Sequence, residues 1–303
     1  MRRVLLITLF LGALIQLCGC AKIDQLKILV PQGSPELAVT YLKAHDNYQV
    51  DVVLGADPLL AAFSSQTHDV IIAPTHLGVK LSGSNMEYIM LGIVVFGNYY
   101  FASQAQKLED IQDLNGKDII IFGQNQTSDI VCKHLFEAFD ISTNITYVDS
   151  VATANAMLIL DPNLIILTAE PSLSTLLKSY SSLNYLSMDP YYQMIEGETY
   201  PQASVFVKSS LSGTQMKQIE IDFMDATLKL NNDVEISAET AIELGINMEK
   251  DVLISAIPRT HIMYQNAYEA KNLLNRYIEM IYALNPMLVD KPRVEDAFLY
   301  KRN

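Results

Sequence analysis

Short apolar runs alternate with amphipathic stretches along most of this chain, and that alternation predicts an order of elements. Leu26–Val30 reads as a buried strand turning at Pro31-Gln32-Gly33. "SPELAVTYLKAH" follows as a helix, with Ser34 as N-cap, Pro35 in the first turn and Leu37, Tyr41 and Leu42 on one face. "YQVDVVLG" predicts a second strand and "ADPLLAAFSSQ" a short helix capped by Asp57; "HDVIIAP" predicts a third strand and "THLGVKL" another short helix. Tyr88–Ser103, dense in branched and aromatic residues, is the longest strand-like run. After the polar stretch "QAQKLEDIQDLNGKD" the same logic restarts with a strand at Ile119–Phe122. Helix "TSDIVCKHLFEAF", strand "NITYVDS", helix "VATANAMLIL", strand "NLIILTAE" and helix "PSLSTLLKSY" complete a second series. Continuous Ile/Val runs between helices point to α/β layers with mostly parallel sheets. "QASVFVKSSL" predicts a strand leading out of the second unit, and the chain beyond it reads as mainly helical. Ile219, Phe223, Ala226 and Leu230 mark one helical core stripe, and Ala267, Ala270, Leu274, Tyr277, Ile281 and Leu284 another. Residues 286–303 read as an extended tail anchored at Phe298-Leu299-Tyr300.

The amino end has a different pattern. Arg2 and Arg3 precede the mostly apolar run Val4–Leu17, the form of an export signal. The run is shorter than the roughly 17–25 residues a membrane-spanning helix needs. Leu17-Cys18-Gly19-Cys20 resembles the lipobox of bacterial lipoproteins. That resemblance implies removal of residues 1–19, diacylglycerol on the Cys20 thiol and an acylated new amino terminus. A tether over residues 20–25 would then hold the folded body close to the bilayer. Cys132, the remaining cysteine, follows Ile130 and Val131 and reads as buried filler, so no intrachain disulfide is available.

Charge narrows the partners. Lys and Arg number 21 against 34 Asp and Glu, a formal charge of −13, which argues against nucleic acid. No arginine occurs between Ala21 and Pro258, so a bidentate guanidinium clamp cannot come from that portion. No GxSxG elbow, HExxH pair, Walker loop or glycine-rich dinucleotide fingerprint occurs, and the histidines lack metal-ligand spacing. The expectation is a non-enzyme with no cofactor and no metal.

"HDVIIAPTHLG", "DLNGKDIIIFG" and "YPQASVFVKSSL", in that order and spacing, resemble the solute-binding proteins of ABC importers with the type II periplasmic-binding-protein fold. Among these the chain is most similar to the nitrate/taurine/sulfonate and thiamine-precursor group. The resemblance implies two α/β lobes with a ligand cleft between them. Lobe I would comprise residues 26–107 and 206–303, and lobe II residues 108–205, with crossings near 100–107 and 200–208. The partners implied are a small-molecule ligand, a permease and its ATPase, and the membrane through the lipid anchor, for a monomer exported to the outer face of the bacterial cytoplasmic membrane or to the periplasm.

In such a fold ligands collect where strand ends meet helix starts, whose free N–H groups carry a partial positive field. Four starts qualify: Gln32-Gly33-Ser34, Thr75-His76, Asn125 with Thr127 and Ser128, and Glu170 before Pro171. Asp57 is a further polar candidate at a helix start. Asn98, Tyr99 and Tyr100 lie beside a crossing, and Tyr192 near the returning one; tyrosine rings suit an aromatic or heterocyclic solute. A cleft-facing Glu170 would favour a cationic or hydrogen-donating group, and Arg259 is the arginine to test for ligand or lobe contact. The reading is capture of an aromatic or heterocyclic nutrient, such as a vitamin precursor, by lobe closure. The alternatives are a small organic anion such as a sulfonate, a sensory surface lipoprotein, or an enzyme like the thiamine-pyrimidine synthases. Bulky apolar packing in the gap between the lobes would count against capture.

Overall fold

Leu26–Pro31 forms the strand its apolar run predicts, β1, because both its faces are covered. In this computed structural model the described residues are 25–82 and 86–302; the export signal and Cys20 lie outside them. β1 is the middle of a parallel trio, flanked by β2 (Tyr48–Val53) and β3 (Val70–Pro74). α1 (Ser34–Ala38) and α2 (Thr40–Lys43) follow β1; α3 (Asp57–Ser65) precedes β3 and α4 (Thr75–Ser82) follows it. The trio is extended by antiparallel strands to give the order β11-β4-β10-β3-β1-β2, with β4 at Tyr88–Phe96, β10 at Pro201–Lys208 and β11 at Ile262–Asn266.

The second sheet repeats this plan. β6 (Asp118–Phe122) lies between β7 (Asn144–Val148) and β8 (Ile165–Ala169), all parallel. β5 (Tyr99–Ser103) then pairs antiparallel with β8 and with β9 (Asn184–Ser187), giving β7-β6-β8-β5-β9. Around it pack α5 (Thr127–Ala138), α6 (Val151–Leu160), α7 (Ser172–Ser179) and α8 (Asp189–Glu196). Both sheets are thus mixed rather than mostly parallel. In each, the strand beside the parallel trio is the one that has just crossed from the other lobe.

The expected lobe boundaries shift accordingly. The long run Tyr88–Ser103 is two strands in different sheets, so the first crossing is Gly97-Asn98 and not residues 100–107. The second falls at Gly197–Tyr200, because β10 already belongs to the first sheet from Pro201, before the expected start of lobe I at 206. The crossings are tied to each other: Gly97 N donates to Thr199 Oγ1 at 3.3 Å, Asn98 N to Gln202 Oε1 at 3.2 Å and Tyr99 N to the Tyr200 hydroxyl at 3.3 Å. These bonds satisfy backbone N–H groups at the break between β4 and β5.

Beyond β10 the helical stripe at Ile219–Leu230 is α9 (Gly213–Asn232), started by a reciprocal capping box between Ser212 and Gln215. α10 (Val234–Glu243) and α11 (Lys250–Ala256) follow. The second stripe starts later than expected: Ala267 and Ala270 precede α12 (Lys271–Leu284), and β11 interrupts the helical region. Ile28, Val30, Ile219 and Phe223 belong to a core between the first sheet and α9. The opposite face of that sheet joins a core that runs on into the second lobe through Phe96, Tyr99, Tyr200 and Tyr277. Cys132 is buried, its thiol 3.9 Å from the Met188 sulfur, as its apolar setting predicts. Among the described residues, no helix is long and apolar enough to cross a membrane.

Candidate functional site

The carboxyl ends of β1 and β3 carry α1 and α4, and those of β6 and β8 carry α5 and α7, so four helix starts meet where the lobes touch. Gly33, at φ +102°, provides the bend that turns β1 into α1. This sets the buried Ser34 side chain across the seam: its Oγ donates to the Glu170 carbonyl of the other lobe at 2.9 Å. Asn98 Nδ2 in turn donates to Ser34 Oγ at 2.8 Å and to the Thr260 carbonyl at 3.1 Å. A carbonyl only accepts, so Thr260 fixes the orientation of this amide and leaves Asn98 Oδ1 buried without a partner.

Glu170 and Arg259 form the charged centre of the seam. Arg259 Nε donates to Glu170 Oε1 at 2.7 Å, and its Nη2 donates to Ser174 Oγ and Ser255 Oγ, each at 2.8 Å. Arg259 Nη1 has no partner among the described residues. Glu170 also accepts from the Ser174 backbone N–H at 3.2 Å, capping the first turn of α7 with its own carboxylate. Burial pushes the Glu170 carboxyl above its usual range, against the opposing pull of Arg259 and Ser174. The Tyr100 hydroxyl donates to the Arg259 carbonyl at 3.1 Å and so ties the same corner from the second lobe.

A second contact joins the lobes at His76 and Thr127, whose Nδ1 and Oγ1 lie 3.3 Å apart and are both buried. Burial, with a smaller contribution from Lys80, lowers the His76 imidazole from 6.5 to about 4, so it is neutral at pH 7. Thr75 turns away to share a 2.7 Å hydrogen bond with Ser204 inside the first lobe. Next to this contact the seam is aromatic. Tyr99 stacks on Tyr200 at 5.9 Å between ring centroids, and Tyr192 meets Tyr200 edge-on at 5.0 Å. The apolar filling that counts against a ligand is therefore present on this side, and on the other Ser34, Asn98, Glu170 and Arg259 are polar groups bonded to one another across the seam.

The sequence candidates divide. Ser34, Asn98, Tyr100, Glu170 and Arg259 converge, and His76, Thr127 and Tyr99 form the neighbouring contact. Gln32 is exposed and only its backbone is engaged, with Val53. Asp57 sits exposed in the first turn of α3 and makes no cap hydrogen bond. Asn125 is an exposed left-handed turn residue, and Ser128 Oγ folds back on the Phe122 carbonyl at 2.6 Å. Tyr192 packs inside the second lobe against His134. Tyr99, Tyr100 and Tyr192 are thus buried in packing, and the platform for an aromatic solute that their sequence positions suggested is not presented. Asp129 was missed: buried at the start of α5, it accepts from Asn125 N, Lys133 and Tyr147, meeting that helix start with an internal anion. Among the described residues, no group of three or more His, Cys, Asp or Glu is arranged to hold a metal ion.

No family model matches the sequence, and comparison with curated proteins gives no match. The fold is matched closely by solved structures. An ABC transporter structure from Parabacteroides distasonis aligns over 92% of this chain and 100% of its own at 18% identity, with a TM-score of 0.82. The alkanesulfonate-binding protein SsuA from Xanthomonas axonopodis pv. citri, bound to MOPS, aligns over 93% of this chain and 100% of its own at 14% identity, with a TM-score of 0.70. The periplasmic aliphatic sulphonate-binding protein SsuA from Escherichia coli aligns over 92% and 93% at 11% identity, with a TM-score of 0.72. The chain has the two-lobed α/β type II periplasmic-binding-protein fold. A fold shared this widely, with 632 matching chains, does not choose a ligand by itself.

Proposed function

We propose that this chain is the extracytoplasmic solute-binding component of an ABC importer, tethered through a lipidated Cys20, and that it captures a small organic anion of the sulfonate type. It works as a monomer, closing its lobes on the ligand and passing it to a permease and ATPase, without catalysis. The observation that carries the reading is Arg259. It reaches across the seam, is held by Glu170, Ser174 and Ser255 through Nε and Nη2, and has Nη1 free to donate. A guanidinium fixed in this way loses little freedom when it meets an oxyanion. Two of the structural neighbours are named for sulfonates, which supports the same class. The aromatic-nutrient reading loses its footing because its tyrosines are buried in packing.

Titration calorimetry and thermal shift with short alkanesulfonates, nitrate, pyrimidines and flavins test this. Saturable binding of a sulfonate is expected, and Arg259→Gln should weaken it about 10–100-fold, the equivalent of a charged hydrogen bond of about 1.5–3 kcal/mol. Binding of pyrimidines or flavins without sulfonates would return the reading to a heterocyclic nutrient.

A further inference from the structure

α9 is amphipathic in an unexpected way: its outward side carries an apolar stripe. Ile219, Phe223, Ala226 and Leu230 are buried, as the sequence stripe predicts, and Met216 is buried with them. Opposite them Ile221, Met224 and Leu228, at i, i+3 and i+7, are 46%, 42% and 59% exposed. Met263 of the adjoining strand β11 is exposed too, and Arg302 reaches Met224, its Nη2 lying 3.3 Å from the sulfur. Large apolar side chains grouped on one helix face mark a surface that meets something else.

Where the chain enters the fold says what that is. Leu26 pairs with Tyr48 at the start of β1 and β2, and the Tyr48 hydroxyl donates to Asp222 of α9 at 2.5 Å. The segment that precedes Leu26 therefore emerges at the β1–β2 edge of the first sheet, on the flank of α9 that carries Asp222. From Cys20 to Leu26 the chain reaches at most about 20 Å, at roughly 3.3–3.6 Å per residue. A lipid on Cys20 consequently brings the bilayer to this side of the first lobe and to no distant one.

We infer that the Ile221–Met224–Leu228 face of α9 lies on the lipid surface, fixing the orientation of the tethered protein on its membrane. The inference rests on the lipoprotein reading. Exposed Lys217 continues the line of the stripe one turn earlier, and Arg302 beside Met224 is paired with Glu220 and Glu269. Apolar residues with a cation at one end of their line suit an interfacial helix, which sets its apolar face at acyl depth.

The test uses the full-length lipidated protein in phosphatidylcholine/phosphatidylglycerol vesicles. Leu228→Cys carries a fluorophore, and Leu160→Cys, 85% exposed in the second lobe, is the control. Lipids bearing a nitroxide on the acyl chain should quench the label at 228 at least threefold more than the one at 160. The double variant Ile221→Glu with Met224→Glu should remove that difference while the protein still floats with the vesicles. Equal quenching at both positions in vesicle-bound protein overturns the inference and leaves the anchor intact. A protein that does not float with vesicles overturns the anchor itself. Disulfide cross-linking of Leu228→Cys between copies in detergent would reassign the face to a second copy of the chain, which also overturns it.

Discussion

Burial sets the charge state of His76, and the same burial makes the seam sensitive to pH. The imidazole sits near 4 in the fold and near 6.5 when exposed, burial being the larger cause and Lys80 the smaller. Between those values the unfolded chain takes up a proton that the native one refuses, so stability rises with pH across the window. The His76 contribution is complete above about pH 6.5 and is lost as pH falls through 4. Glu170 has the opposite sign: its pKa is raised, so its contribution is present at low pH and declines as pH rises past the usual carboxylate range. Melting curves of the wild type and His76→Gln from pH 4 to 7 separate the two, since Glu170 is common to both. The wild type should lose ground relative to the variant as pH falls; a difference that stays flat would mean His76 remains accessible to protons.

The crossings are where an element, rather than a single contact, decides the outcome. A Cβ on Gly97 would lie 2.6 Å from Asp189 Oδ1 and 2.6 Å from Tyr200 Cε1, both held in place by packing. Gly97→Ala should therefore destabilise by about 1–3 kcal/mol and loosen the lobe arrangement. Ser212→Ala, which removes the α9 capping box, should cost about 1 kcal/mol and leave that arrangement unchanged. Urea unfolding gives the energies, and small-angle scattering distinguishes the two variants by radius of gyration. This crossing also marks the limit of what the sequence conveyed. The parallel trios were readable because Ile/Val runs ended at Gly, Pro or a helix start. The break between β4 and β5 was not, since Gly97-Asn98 interrupts an apolar run by only two residues and changes sheet without changing composition. β11 was hidden because its exposed Met263 and half-buried Tyr264 and Gln265 lack a clean alternation. Helix starts at the site were legible through Pro35 and Pro171. The neutralisation of the α5 and α7 starts by Asp129 and Glu170 depends on side-chain direction, which spacing alone does not give. Ser255 and Thr260 reach the site only through the return of the chain to the first sheet.

For the whole molecule, the lobe closure of the proposed function would be shifted without touching the polar corner. Lys178 on α7 of the second lobe lies 2.6 Å from Glu249 Oε2 and 2.8 Å from Asp251 at the start of α11 in the first lobe. These groups are solvent-exposed, so each pair is weak and screened by salt. Reversing the one lysine nevertheless turns both attractions into repulsions across the seam. In Lys178→Glu the closed population should fall severalfold at low ionic strength and recover much of that loss in molar salt. Ligand that needs the closed form sees its apparent affinity reduced by the same fraction, because the binding-competent state is the one depleted. If the proposed function holds, spin-label distances between the lobes and calorimetric affinity for a sulfonate should therefore move together over a salt series. Affinity that falls while the distances stay constant would show that Lys178 acts on the ligand directly. Distances that widen with no loss of affinity would show that capture does not require the closed seam.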